Sequence, residues 1–204
     1  ACVYSHNVAR SDYQDISRDL LGIPSVTHRE DPLPGVDVLI GCGWGEFRDD
    51  ERTDQGKNYV PGNRYIASDD INRIDVANGG KYVVAQRTQG ESGLQVLRKG
   101  VENAISGGNR FFGFFGATRG HLPYQTADGN YNPTMEEAKV DVYQPGDILE
   151  NPTLSEMTTA ALDVLSGNEK GFFLMVEAGD VDWANHNNNL DDSIGAVLSG
   201  DAAF

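Results

Sequence analysis

The stretch "KYVVAQRTQGESGLQVLRKGVENAISGGNRFFGFFGA", residues 81–117, decides the fold. Residues 81–86 are a short run rich in β-branched and aromatic side chains, which reads as a strand. Leu94, Leu97, Val101 and Ile105 then recur at helical spacing through residues 92–108. Residues 110–117 form a second apolar run too short for a helix and suited to a buried strand. The unit is strand, helix, strand.

The same alternation extends outward on both sides. Upstream, residues 12–21 place Ile16, Leu20 and Leu21 on one helical face, with Gly22 as the stop. Residues 36–43, "VDVLIGCG", read as a buried strand, and 44–66 as a polar, glycine-containing excursion. Residues 68–80 read as a helix capped by Ser68, with Asp69 and Asp70 in its first turn and Gly79 at its end. Downstream, 118–150 is a long polar stretch, and a connection of that length inside a domain is usually functional. Residues 152–168 are the clearest helix, opened by a Thr153/Glu156 capping box and closed near Gly167. Residues 171–178, "GFFLMVEA", read as a fourth buried strand, and 190–204 as the start of another helix. This order predicts one α/β domain over 1–204: a mostly parallel sheet with helices on both faces and any ligand at the carboxyl ends of the strands.

Composition narrows the function classes. With 39% apolar and 23% charged residues the chain is globular. A net charge of -15 disfavours nucleic acid as a partner and fits a solvated surface, a saline habitat or a binder of cations. No apolar run approaches the roughly 20 residues that span a bilayer. Cys2 and Cys42 are the only cysteines, so they form one disulfide or stay as small buried hydrophobes, and no multi-cysteine metal site is available.

The chemistry concentrates in "VEAGDVDWANH", residues 176–186. Glu177 ends an apolar run, where burying a carboxylate is costly unless something neutralises it. Asp182 and His186 are four apart, so a helical turn puts an oxygen and an imidazole nitrogen on one face, a zinc-type donor pair. The harder oxygen of Glu177 suits magnesium as well as zinc. Among the other candidates, His6, four before Arg10, reads as a structural residue, and His28 and His121 as surface. "TRGHLPYQ" at 118–125 lies at the right end of the sheet to line a cleft. "GCGWG" at 41–45 is no P-loop, since no G-K-[ST] follows, and its glycines serve tight turning. Glu136, Glu137, Asp141, Asp147 and Glu150 form an acidic cluster, read as solvated, with a structural calcium as the alternative.

"GFFLMVEAGDVDWANH" is similar to the signature of the alkaline phosphatase family, as "SHNVAR" (5–10) is to its H-x-x-x-R segment and "VDVLIGCGWGEF" (36–47) to its D-V-L-L-G-G-G segment. The resemblance implies a zinc- and magnesium-dependent phosphomonoester hydrolase that works through a phosphoserine. It implies Glu177 as a magnesium ligand, Asp182 and His186 as zinc ligands, Arg10 as the clamp on the substrate phosphate, and Trp183 at the substrate, where Trp resembles the marine bacterial branch. It also implies a homodimer, periplasmic or secreted, acting on small phosphomonoesters. The family's D-S-A/G nucleophile and T-A-D-H segments have no counterpart here; Asp192-Ser193 lies within a helical pattern. The chain therefore reads as the central portion of a longer domain, expected to be inactive alone. A related phosphodiesterase or sulfatase, or an acidic binding module that kept the fold without the nucleophile, are the other readings.

Overall fold

The structure is a computed structural model and describes residues 4–48, 55–133 and 142–204, without the Thr118 side chain. Cys2, Glu136, Glu137 and Asp141 lie outside these residues.

Three strands form one parallel sheet in the order β1-β3-β2: β1 (Val38–Cys42), β2 (Tyr82–Gln86) and β3 (Arg110–Phe115). β3 is central because both neighbours pair with it, Leu39 and Val84 each opposite Phe112. Its sequence explains the place. Phe111 and Phe115 point into a core formed with α3 (Gly93–Gly107) and α5 (Leu154–Leu165) through Leu97, Val101, Ala104, Met157 and Ala160. Phe112 and Phe114 point to the opposite face, where α1 (Tyr13–Leu21) and α2 (Ser68–Ile74) contribute Leu21 and Ile74. After Arg110, β3 carries no polar side chain and is buried at every position, as a strand covered on both faces must be. The predicted α/β architecture, a parallel sheet with helices on both faces, is therefore borne out.

Two close approaches need glycine. A Cβ at Gly100 of α3 would lie 2.8 Å from the Phe111 ring, so the missing side chain lets the helix sit against β3. A Cβ at Gly195 of α7 (Leu190–Asp201) would lie 1.9 Å from the Gln125 carbonyl oxygen, so α7 presses on the chain that leaves β3.

Several expectations need correction. Residues 171–178 form no strand and pair with none among the described residues. They keep the strand's alternation: Leu174, Val176 and Ala178 turn inward, while Phe173 and Met175 are 81% and 63% exposed. Apolarity predicts a strand only where a ladder partner exists, and β1 also leaves its outer edge unpaired among the described residues. The 68–80 segment is α2 followed by a 3-10 turn, Val76–Asn78, which the Asp75 side chain caps. Ser68 is the first helical residue and not the cap.

Polar chemistry accounts for the other differences. The buried face of α1 is Gln14, Asp15, Arg18, Asp19 and Leu21, with Ile16 and Leu20 only partly covered. Gln14 donates to the Val60 and Asn63 carbonyls, and Arg18 pairs with Asp70 at 2.8 Å. His28 is not a free surface residue: its Nδ1 lies 3.0 Å from Asp19, which also accepts from Ser5. Asp147 and Glu150 are not solvated either; both are buried and meet Arg87 at 2.9 and 2.7 Å. That pairing leaves these two no role as free calcium ligands. The capping box forms as expected, with Thr153 Oγ1 accepting from the Glu156 amide and the Glu156 carboxylate from the Thr153 amide. Asp192 and Ser193 lie inside α7, with Asp192 buried against Asn189.

Candidate functional site

A cleft of about 560 Å³ runs along the whole of β1 and past its carboxyl end. One wall is β1 from Val38 to Cys42, and another is the run from Leu174 to Glu177. α5 closes it below through Leu154, Met157, Thr158 and Ala161, and further lining comes from Arg119, His121 and Leu122 after β3 and from Asp180 and Trp183 on α6 (Asp180–His186).

The turn after β3 is built on glycine. Gly116 has φ 138°, Gly120 has φ 79°, and a Cβ at Gly116 would lie 2.8 Å from the Gly120 carbonyl oxygen. The amide of Ala117 donates to the carbonyl of His121 at 2.7 Å and closes the turn. Arg119 sits within it at φ 65°, a conformation that costs a non-glycine residue about 1 kcal/mol or more. The "TRGHLPYQ" segment thus lines the cleft, as its place in the chain predicted. His121 does not lie at the surface: it is 5% exposed, its Nδ1 lies 2.6 Å from the Leu122 carbonyl, and its ring stacks on Tyr124 and Trp183. The aromatic residues around it were the one signal in the sequence that could have shown this.

Two groups at this end carry shifted acidities. Burial pushes the Cys42 thiol up to about 12, with the Asp180 carboxylate adding to the effect. Burial also raises Asp180 to about 6, against the opposing pull of His121. Cys42 is a free thiol in the cleft wall and is not activated as a nucleophile.

The structure places the predicted site residues as follows. Asp182 and His186 lie on one face of α6, with Oδ2 and Nε2 3.6 Å apart and both side chains about three-quarters exposed (76% and 75%). Two donors at zinc bonding distance in a tetrahedral site stand about 3.4 Å apart, so the pair fits half of such a site. Glu177 is exposed and borders the cleft two residues before the Gly179 N-cap of α6. Among the described residues no three His, Cys, Asp or Glu side chains gather as a metal site, so Glu177 is not brought together with the other two. Trp183 is 41% exposed on the cleft. Arg10 is exposed just before α1 and does not line the cleft. No helix among the described residues is long and apolar enough to cross a membrane.

Comparison with known proteins gives a consistent result. The sequence model for alkaline phosphatase matches residues 1–204. Alkaline phosphatase 4 of Bacillus subtilis (strain 168) is 52% identical over 46 residues, 22% of this chain and 9% of that protein. A membrane-bound alkaline phosphatase of Bombyx mori is 46% identical over 54 residues, 26% of this chain and 10% of that protein. Alkaline phosphatase of Escherichia coli (strain K12) is 46% identical over 52 residues, 26% of this chain and 11% of that protein. The matched segments thus span about a tenth of each relative's length.

Proposed function

As the chain belongs to the alkaline phosphatase family, we propose that it supplies part of the active site of a phosphomonoester hydrolase dependent on zinc and magnesium. The observation that carries this reading is the Asp182/His186 pair, 3.6 Å apart on α6 at the carboxyl end of the parallel sheet. The helix sets both donors on one face at close to the separation a tetrahedral ion requires. Zinc at this pair would stabilise the charge on the attacking and leaving oxygens of phosphoryl transfer. Glu177, with its harder oxygen at the cleft border, would hold magnesium.

The remaining roles belong to the chain's own side chains. The family resemblance assigns the substrate phosphate to Arg10, which lies outside the cleft; its planar fork of donors would match two phosphate oxygens and steady their charge in the transition state. Trp183 borders the bound substrate and excludes water on one side. The nucleophile is a serine outside residues 1–204, and phosphate is released from it after a covalent phosphoserine stage. The full protein acts as a homodimer in the periplasm or outside the cell, and a net charge of -15 suits a saline medium.

The test is made on the full-length protein with 4-nitrophenyl phosphate, bis(4-nitrophenyl) phosphate and 4-nitrophenyl sulfate. The reading requires the monoester to be preferred by kcat/KM. It also requires His186→Ala to lower both bound zinc and monoester turnover, the latter by at least about a hundredfold. A preference for the diester or sulfate would move the protein to a related hydrolase. Full zinc content and full activity in His186→Ala would remove the site.

A further inference from the structure

Three rings at the mouth of the cleft stand in one stack. The Tyr124 and His121 rings are 4.8 Å apart at 27°, and the His121 and Trp183 rings 6.3 Å apart at 30°. Tyr143 closes the side of the stack, edge-on to His121 at 6.0 Å and to Tyr124 at 5.9 Å. Exposure rises along the stack: Tyr124 is 2% exposed, His121 5% and Trp183 41%. The stack also crosses elements, since Tyr124 and His121 follow β3 while Trp183 belongs to α6.

An indole needed only for the core would be covered. Here the inner rings are buried and fixed, His121 by its 2.6 Å contact with the Leu122 carbonyl, while the outermost ring opens onto the cleft beside Arg119, Glu177 and Asp180. A rigid aromatic surface presented to a cleft pays little ordering cost when a flat ligand lies on it. Asp182 and His186 do not line the cleft, whereas Trp183, one residue on and about 100° round the helix, does; a phosphoryl group held at the rim by the pair would therefore direct its ester substituent into the cleft, toward the indole.

We infer that the stacked Tyr124, His121 and Trp183 rings form a leaving-group subsite that selects phosphomonoesters with planar aromatic substituents. The inference rests on the phosphomonoesterase reading above. Trp183 is the contact residue, and His121 is a positioning residue that holds the indole.

The test uses the full-length, metal-loaded protein hydrolysing glycerol 2-phosphate. The inhibition constants of benzylphosphonate and cyclohexylmethylphosphonate are compared, with inorganic phosphate as the reference. The two phosphonates share charge and linkage, and the saturated ring is at least as hydrophobic, so burial alone cannot favour the benzyl compound. Stacking predicts that benzylphosphonate binds about five- to tenfold tighter. Trp183→Leu should bring the ratio to within twofold while inhibition by inorganic phosphate persists, and Trp183→Phe should keep most of the preference. His121→Leu should lower the ratio, and His121→Phe should restore it. A ratio near one in the unmodified protein, or an unchanged ratio in Trp183→Leu, overturns the subsite alone. Failure to hydrolyse glycerol 2-phosphate, together with no inhibition by inorganic phosphate, overturns the parent reading and the subsite with it.

Discussion

Replacing Arg87 by Met should destabilise the protein by about 3 kcal/mol, and the structure shows why. Arg87 leaves the end of β2 and reaches three partners. Its Nη2 lies 2.7 Å from Glu150, its Nη1 2.9 Å from Asp147, and Nη1 also donates to the Gly116 carbonyl at 2.8 Å. The side chains are 9%, 8% and 11% exposed for Arg87, Glu150 and Asp147, so this network is shielded from water. Removing one member of a buried ionic cluster costs about 3–5 kcal/mol, because the partner charges stay buried. The lower end applies here. Glu150 still accepts from the Gly90 amide and Asp147 from the Gln144 amide. Methionine also keeps an unbranched stem over Trp44, where the guanidinium now sits 4.6 Å from the ring centroid. The assay is urea unfolding, comparing midpoints at unchanged slope. A loss below about 1 kcal/mol, typical of an exposed pair, would refute the reasoning. Adding Asp147→Asn and Glu150→Gln should recover at least half the loss, since the stranded charges then disappear. Hydrogen exchange at the Gly116 to Gly120 turn should speed up in Arg87→Met, because Gly116 loses a partner of its carbonyl.

The same network sets an acid limit. The Gly90 amide, with Arg87, holds Glu150 below the usual carboxylate range. The unfolded state therefore binds its proton at higher pH, so this contribution is fully present above the unfolded value near 4.5 and fades as pH falls through the folded one. Urea midpoints between pH 6 and 3 should fall less steeply in Glu150→Gln than in the unmodified protein, and parallel curves would contradict this. Gly195→Ala sets its Cβ against the Gln125 carbonyl oxygen at 1.9 Å, so α7 or the chain after β3 must move, at a cost of about 1–3 kcal/mol. A urea midpoint unchanged by that substitution would show that the contact yields freely.

Much of this was legible in the sequence because it depends on local pattern. β3 announces its central place by carrying no polar side chain after Arg110, and α5 announces its start through Thr153 and Glu156. The order of elements then puts residues 177–186 at the carboxyl end of the sheet. Most of the misreadings involve partners that local pattern does not supply. Residues 171–178 have a strand's alternation, but a strand also needs a ladder neighbour, and composition does not supply one. His28, His121, Asp147 and Glu150 look like surface residues because each is polar and lies in a polar stretch. Asp147 and Glu150 are covered because Arg87 reaches them from the end of β2, and His121 because Trp183 stacks on it from α6 beside its near neighbour Tyr124, while His28 is held by Asp19 nine residues before it. The polar buried face of α1 was hidden for the same reason, since its hydrogen bonds run to residues 55–70. Within the site, the Asp182/His186 pair follows from helical spacing alone. The aromatic stack does not, because Trp183 is more than 50 residues from its ring partners.

The central claim is that Asp182 and His186 bind zinc. Crystals of the full-length protein grown with zinc, measured on both sides of the zinc absorption edge, test it most directly. The account predicts an anomalous peak about 2.0–2.2 Å from a carboxylate oxygen of Asp182 and a ring nitrogen of His186. Ordered Asp182 and His186 side chains with no peak within bonding distance would contradict it.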